Sequence, residues 1–184
     1  KEIMFKDFDI SSFKKMKPPS DNSFDTMQEV KELEKTALNK RFVKDNDDIE
    51  AAFKKTAEQK NIKDYDKSIA AKLIKASAPI ILKLKKHFDR PRPKVLAKKL
   101  NINMKDIEMD SMKTPSYPSG HSVQGVLIGK TLGDKYPQAK TAFIKTGKNI
   151  SDSRRSARAH YKSDSKMGEK LGDAMYNYLK EKNV

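Results

Sequence analysis

The sequence contains no cysteine, which excludes a disulfide framework, thiol catalysis and cysteine metal centres. The redox compartment is left open. Histidine is scarce: His87, His121 and His160 are the whole supply, and a three-histidine zinc centre would need all of them. Long apolar runs are missing too. The longest candidate, Ala78-Pro79-Ile80-Ile81-Leu82, falls far short of the ~18 residues a membrane helix requires and is soon followed by lysines. No signal peptide is visible, and a start at Lys1 leaves room for a removed leader. Strand signals are nearly absent.

What remains is a chain of 184 residues, the size of one domain. Its hydrophobic share is 36% and its charged share 35%, so the core must be drawn from narrow helical stripes. The net charge of +15 favours anionic partners. The lysines are scattered over every expected helix without interleaved aromatics, which argues against nucleic acid as a partner.

The first two dozen residues read as an irregular arm, pinned by Phe5, Phe8, Ile10 and Phe13 and closed by the Pro18-Pro19 break. Ser23 or Asp25 caps a predicted helix over 25–43, with Met27, Val30, Leu33, Ala37 and Phe42 inward. Asn46-Asp47-Asp48 opens a short second helix with Ile49, Ala52 and Phe53 inside. A third is predicted over 65–88, kinked at Pro79 and ended by Pro91 and Pro93. Residues 91–118 read mostly as loop, with one turn near 95–100. Further helices are predicted over 119–136, from Pro137 to 154, and over 164–182. Gly125 and Gly129, four apart, would let a neighbouring helix come close. The fold class is all-α: a single-domain bundle of about six or more helices, divided as an arm (1–24) and a helical domain (25–184).

Three blocks carry chemistry. Lys85 precedes Arg92-Pro93 by seven positions, although Lys83 with Arg90-Pro91 has the same spacing. Pro118-Ser119-Gly120-His121 lies at a predicted helix start. Ser153-Arg154 is followed by His160 and, four positions on, Asp164. A helix N-terminus offers unpaired N–H groups and a positive dipole end, which suits a phosphate. Glycine at position 120 lets a ligand approach the backbone, and Ser119 adds a hydroxyl. Arg92 and Arg154 suit bidentate contact with phosphoryl oxygens, and Lys85 adds a point charge. A carboxylate four residues after His160 can hold one ring nitrogen while the other attacks, although such pairs also occur as plain helix-surface hydrogen bonds. Arg155 and Arg158 read as solvated or ion-paired, and His87 as structural.

In this order, the three blocks resemble the signature of the type 2 phosphatidic acid phosphatase superfamily. That family includes bacterial class A non-specific acid phosphatases, membrane lipid phosphatases and vanadium-dependent haloperoxidases. The resemblance covers residues 85–164 and extends loosely to Pro18-Pro19 and the helix after Ser23; it is closest to the soluble class A members. It implies a helical bundle with the active site at its core end. It implies that His160 is the nucleophile that becomes phosphohistidine, that Asp164 orients it, and that His121 is the general acid. It implies phosphoryl binding by Lys85, Arg92, Ser119, Gly120 and Arg154, with no metal and no cofactor. Arg158 departs from the pattern: many relatives have glycine there, two residues before the histidine.

The implied activity is hydrolysis of small phosphate monoesters, with phosphate or vanadate as site ligands. The alternatives are a lipid phosphate phosphatase at a membrane surface and a vanadate-dependent haloperoxidase. Soluble class A relatives are often periplasmic and often homo-oligomeric, so the resemblance extends to both properties; a cytoplasmic location is compatible as well.

Overall fold

A computed structural model describes residues 4–182, and every regular element within them is helical. The elements are α1 (Ser11–Lys14), α2 (Phe24–Lys35), α3 (Lys40–Asp47), α4 (Ile49–Gln59), α5 (Ser68–Phe88), α6 (Pro93–Lys99), α7 (Gly120–Lys135), α8 (Lys140–Ser156) and α9 (Lys162–Glu181). Short 3₁₀ turns cover Asp110–Lys113 and Pro137–Ala139. No helix among the described residues is long and apolar enough to cross a membrane.

The bundle is organised around α7, which packs most extensively against α8 and α9 and also against α5. Val123, Leu127, Ile128 and Leu132 of α7 are fully buried. Each such side chain contributes roughly 1.5–3 kcal/mol relative to exposure. The approach of α8 depends on Gly125 and Gly147: a Cβ on Gly125 would stand 2.5 Å from the Gly147 carbonyl oxygen. On the other side, a Cβ on Gly168 of α9 would stand 2.5 Å from the Ser119 carbonyl oxygen. These two close approaches bring the start of α7, the end of α8 and the start of α9 to one place.

The helix predicted over 25–43 is in fact two helices, broken at residues 36–39. Ser23 caps α2 by accepting from the Thr26 amide, as the sequence suggested. Asn39 then caps α3 by accepting from the Phe42 amide, and Asp48 caps α4 through the Ala51 amide. A side-chain oxygen that satisfies a first-turn N–H is worth ~1 kcal/mol, enough to win over a weak apolar stripe. The break turns Val43 and Asn46 inward and leaves Ala37 exposed and Phe42 half-buried. Ile49, Ala52 and Phe53 are buried as expected.

Elsewhere the boundaries shift slightly. The third predicted helix is α5, which starts at Ser68 because the Asp66 carboxylate accepts from the Ser68 amide, and which continues through the exposed Pro79. The expected turn near 95–100 is the full helix α6, with Pro93 at its first position. In the arm, Phe5 and Phe13 are buried and Phe8 and Ile10 half-buried; the Phe8 ring meets Tyr178 of α9 edge-on.

Candidate active site

The strongest cluster of buried charge surrounds His160. Its Nδ1 lies 2.9 Å from Asp164 Oδ2, and its Nε2 lies 2.9 Å from Arg92 Nη1. A carboxylate only accepts, so Nδ1 carries the proton and Nε2 presents its lone pair. Asp164 is itself fixed from every side. Arg90 Nη1 donates to Oδ1 at 2.7 Å; the Tyr161 amide donates to Oδ2 at 3.1 Å, and the Ser116 hydroxyl also donates to Oδ2. Arg90 is held in turn by Glu29 at 3.3 Å and lies over the Tyr161 ring. His160 and Asp164 are 3% and 0% exposed.

Arg92 reaches this wall from the start of α6. Its Nε donates to the Thr114 carbonyl, and its Nη1 and Nη2 donate to the carbonyls of Ala159 and Ser111. Ser111 links it to Arg154 of α8, whose Nη1 lies 3.4 Å from Ser111 Oγ. Arg154 Nη2 then pairs with Asp47 Oδ1 at 3.2 Å. Asp47 ends α3, and its carbonyl accepts from His121 Nε2 at 2.8 Å. Lys85, on the last turn of α5, donates to the Pro115 carbonyl at 2.8 Å. A continuous chain of contacts therefore runs from His160 through Arg92, Ser111, Arg154 and Asp47 to His121.

Burial and the neighbouring charges move these groups from their ordinary pKa values. Burial, and then Arg92, Lys85 and Arg154, hold His160 well below the ordinary imidazole range, and His121 adds to the effect. Burial and Arg154 push His121 down to about 3, with Lys85 and Arg92 contributing. Burial lowers Lys85 to about 7, helped by Arg92 and opposed by Asp164. Burial raises Asp164 to about 6 against the pull of Arg90. Two neutral imidazoles thus face three crowded cations, an arrangement that an incoming anion would relieve.

Of the eight residues singled out in the sequence, His160, His121, Asp164, Lys85, Arg92 and Arg154 are brought together. Ser119 caps α7, accepting from the Ser122 amide at 3.3 Å, and Gly120 is the first residue of that helix, beside Ile81 and Lys85. The duplicate spacing is resolved by helix phase: Lys83 is exposed, whereas Lys85 points inward. His87 is exposed and meets the Phe88 ring edge-on.

Arg155 pairs with Asp152 as expected. Arg158 is half-buried, with no ion pair among the described residues. It donates to the carbonyls of Glu34, Thr36 and Lys105, closing the end of α2. Its φ of 57° lies in the left-handed region, which explains why glycine suits the position.

Three residues escaped the sequence reading. Arg90 was visible only as half of the duplicate spacing, Asp47 was hidden by the misplaced helix break, and Ser116 carried no signal at all. A cavity of about 530 Å³ lies away from the His160 cluster and is lined by Ile69, Leu73, Tyr176 and Leu179 among others.

No known protein-family profile matches the chain. Among curated proteins, the non-specific acid phosphatase of Salmonella typhimurium (strain LT2) is 33% identical over 88 residues, which is 48% of this chain and 35% of that protein. The chain thus spans about a third of the length of the curated relative it matches.

Proposed function

We propose that this protein is a phosphatase that hydrolyses phosphate monoesters through a covalent phosphohistidine on His160. One observation carries the reading: His160, held by Asp164 at Nδ1, meets Arg92 at Nε2 in a buried cluster whose contacts run on through Ser111, Arg154 and Asp47 to His121. The partial similarity to a protein named non-specific acid phosphatase and the net charge of +15 support it.

In this reading the phosphoryl group sits between the three cations, near the Gly120 amide at the start of α7, and takes over the Arg92 donor from His160 Nε2. Nε2 then attacks phosphorus as the ester P–O bond breaks. Asp164 stabilises the imidazolium character that develops, because it already holds Nδ1–H. His121 donates to Asp47 through Nε2, so Nδ1 is the nitrogen that hands a proton to the leaving oxygen. A monoester entering as its monoanion (second pKa ~6) brings the proton His121 needs. Water then attacks phosphorus, His121 takes its proton, and the N–P bond breaks to leave neutral His160; the proton on His121 passes to the departing phosphate, which leaves as its monoanion. The cations neutralise the equatorial oxygens throughout, which is most of the protein's task in phosphoryl transfer. The reaction as written calls for no metal ion.

The test is a substrate panel of nucleotides, sugar phosphates, pyrophosphate, p-nitrophenyl phosphate and phosphatidic acid vesicles, run with and without vanadate and with a chelator. Hydrolysis of soluble monoesters, competitive vanadate inhibition and indifference to the chelator are expected. Near-wild-type hydrolysis by His160→Ala would overturn the reading.

A further inference from the structure

Arg92 has no spare donor in the cradle as it stands. A guanidinium carries five N–H groups, and all five are engaged. Nε donates to the Thr114 carbonyl at 2.8 Å. Nη1 meets the Ala159 carbonyl at 3.0 Å and His160 Nε2 at 2.9 Å, and Nη2 meets the Ser111 carbonyl at 2.9 Å and Thr114 Oγ1 at 3.2 Å. Three of the five therefore go to residues 111–114, and Ser111 Oγ also takes Arg154 Nη1 at 3.4 Å. While these contacts hold, Arg92 can offer a phosphoryl group just the N–H now on His160. Bidentate contact, the strong mode of a guanidinium, needs Nη2 as well. Room is short too: Lys85, Arg154 and His160 are almost completely buried.

The segment that takes these donors is weakly held everywhere else. None of residues 108–114 is buried. Its own turn closes with the Met112 amide on the Met109 carbonyl at 3.0 Å. Between Met109 and Thr114, every hydrogen bond to the rest of the described chain ends on Arg92 or Arg154. Met109 and Met112 rest half-buried on a small apolar cluster of Val43, Ala157 and Ala159. The flanks, by contrast, are fixed. The Ile107 amide donates to the Ala157 carbonyl at 3.0 Å, and Asp106 pairs with Lys94 at 3.2 Å. Ser116 is buried, with its amide on the Arg90 carbonyl at 2.8 Å. A segment with firm ends and little buried apolar surface opens at low cost.

We propose that residues 108–114 form a strap that fills the anion cradle of the resting protein and is displaced by the phosphoryl group. The oxygens of Ser111 and Thr114 stand where phosphoryl oxygens go. A bound anion takes Nη2 of Arg92 and Nη1 of Arg154, and the strap stays lifted for as long as the anion holds those N–H groups. Lys85 need not release the Pro115 carbonyl, because an ammonium has three donors. The apparent affinity for any anion is then reduced by the fraction of molecules with the strap down. The inference rests on Arg92 and Arg154 being phosphoryl-binding groups; it adds that the site is self-occluded and must open before it can bind.

The absence of cysteine makes the movement measurable. Spin labels are placed on Lys113→Cys in the strap and Lys145→Cys on α8, both exposed positions outside the cradle. The distance between them is measured with and without saturating inorganic phosphate, and phosphate should shift it to a new population. Calorimetry of phosphate binding gives a second reading. Met109→Ser combined with Met112→Ser loosens the apolar seat without touching an arginine, and should tighten binding roughly tenfold. Ser111→Ala frees Arg154 Nη1 and should tighten it by a smaller factor.

An unchanged distance at saturating phosphate would overturn the proposal, as would absence of phosphate binding by the wild type. Unchanged or weaker binding by the double variant would make the strap part of the binding wall and overturn it too; if that variant does not fold, Ser111→Ala takes its place. Turnover of p-nitrophenyl phosphate is followed in parallel. A protein that hydrolyses while the strap stays fixed loses only the strap. A protein whose strap lifts on phosphate without any hydrolysis keeps the strap and loses the phosphatase reading.

Discussion

His160 and His121 face the same three cations, yet the walls that hold them differ. His160 is buried, with both ring nitrogens engaged and its partner Asp164 fixed by Arg90, Ser116 and the Tyr161 amide. His121 keeps 15% of its side chain exposed and is held by the main-chain carbonyl of Asp47, a residue whose carboxylate is 44% exposed. A nucleophile must present one nitrogen in one tautomer, which calls for many constraints. A leaving-group wall has to admit esters of different shape, and one main-chain contact sets its tautomer while leaving the mouth open. The difference suits the two roles proposed for these histidines.

Four measurements would break or sharpen this contrast. The largest effect is expected from the histidines themselves. His160→Ala should lose essentially all turnover for any ester. His121→Ala should lose ~10²–10⁴ with an alkyl phosphate but much less with p-nitrophenyl phosphate, whose leaving group needs little protonation. Equal losses on both substrates would erase the distinction between the walls.

Next comes the rigidity of the His160 wall. Arg90→Ala leaves Asp164 buried with its main ion-pair partner gone, and should cost ~3–5 kcal/mol in urea unfolding. A cost below 1 kcal/mol would mean that the wall is not over-determined.

The pH profile is the third. Asp164 must be ionised to hold Nδ1–H, and its pKa is raised to about 6, so activity is lost as pH falls through that value. Lys85 must be charged to bind an anion, and its pKa is lowered to about 7, so activity is lost as pH rises through that value. A bell on the acid side of neutral is expected for kcat/KM; its alkaline limb combines Lys85 with loss of the monoester's monoanion (second pKa ~6), so Lys85→Arg should make that limb less steep, and an unchanged slope would take Lys85 out of the cradle. The same shifts bear on stability. Lys85 binds its proton less tightly in the folded state, so its contribution to stability rises between about pH 7 and the ordinary lysine range. Asp164 has the opposite sign, and its contribution falls as pH rises from the ordinary aspartate range to about 6.

The smallest effect belongs to the loose wall. Asp47→Asn keeps the carbonyl that orients His121 but removes the carboxylate from Arg154, and should lower the Ki for phosphate a few-fold with kcat little changed. A large fall in kcat would show that the carboxylate, and not the carbonyl, sets His121.

The helical class and the three blocks were legible because both are local. Ser119-Gly120 opening α7 follows from capping chemistry, and the stripe Met167, Leu171, Met175 of α9 follows from periodicity. The misplaced break at 36–39 shows where locality fails. The Asn39 cap outweighed an apolar stripe that ran on to Phe42, and with it went the position of Asp47. Arg90 and Arg92 could not be told apart by spacing; only the phase of α5 and the course of the chain after Asp89 separate the residue that holds Asp164 from the one that meets His160. The contacts of Ser116 with Asp164 and of Ser111 with Arg92 and Arg154 join distant parts of the chain, and no single-sequence pattern marks such contacts.

The central claim is that His160, and not His121, receives the phosphoryl group. Turnover of p-nitrophenyl phosphate, quenched in alkali to preserve phosphohistidine and followed by peptide mass spectrometry, tests it most directly. A phosphoryl adduct on the peptide carrying His160 is expected. An adduct confined to His121, or turnover with no adduct on either histidine, would contradict it.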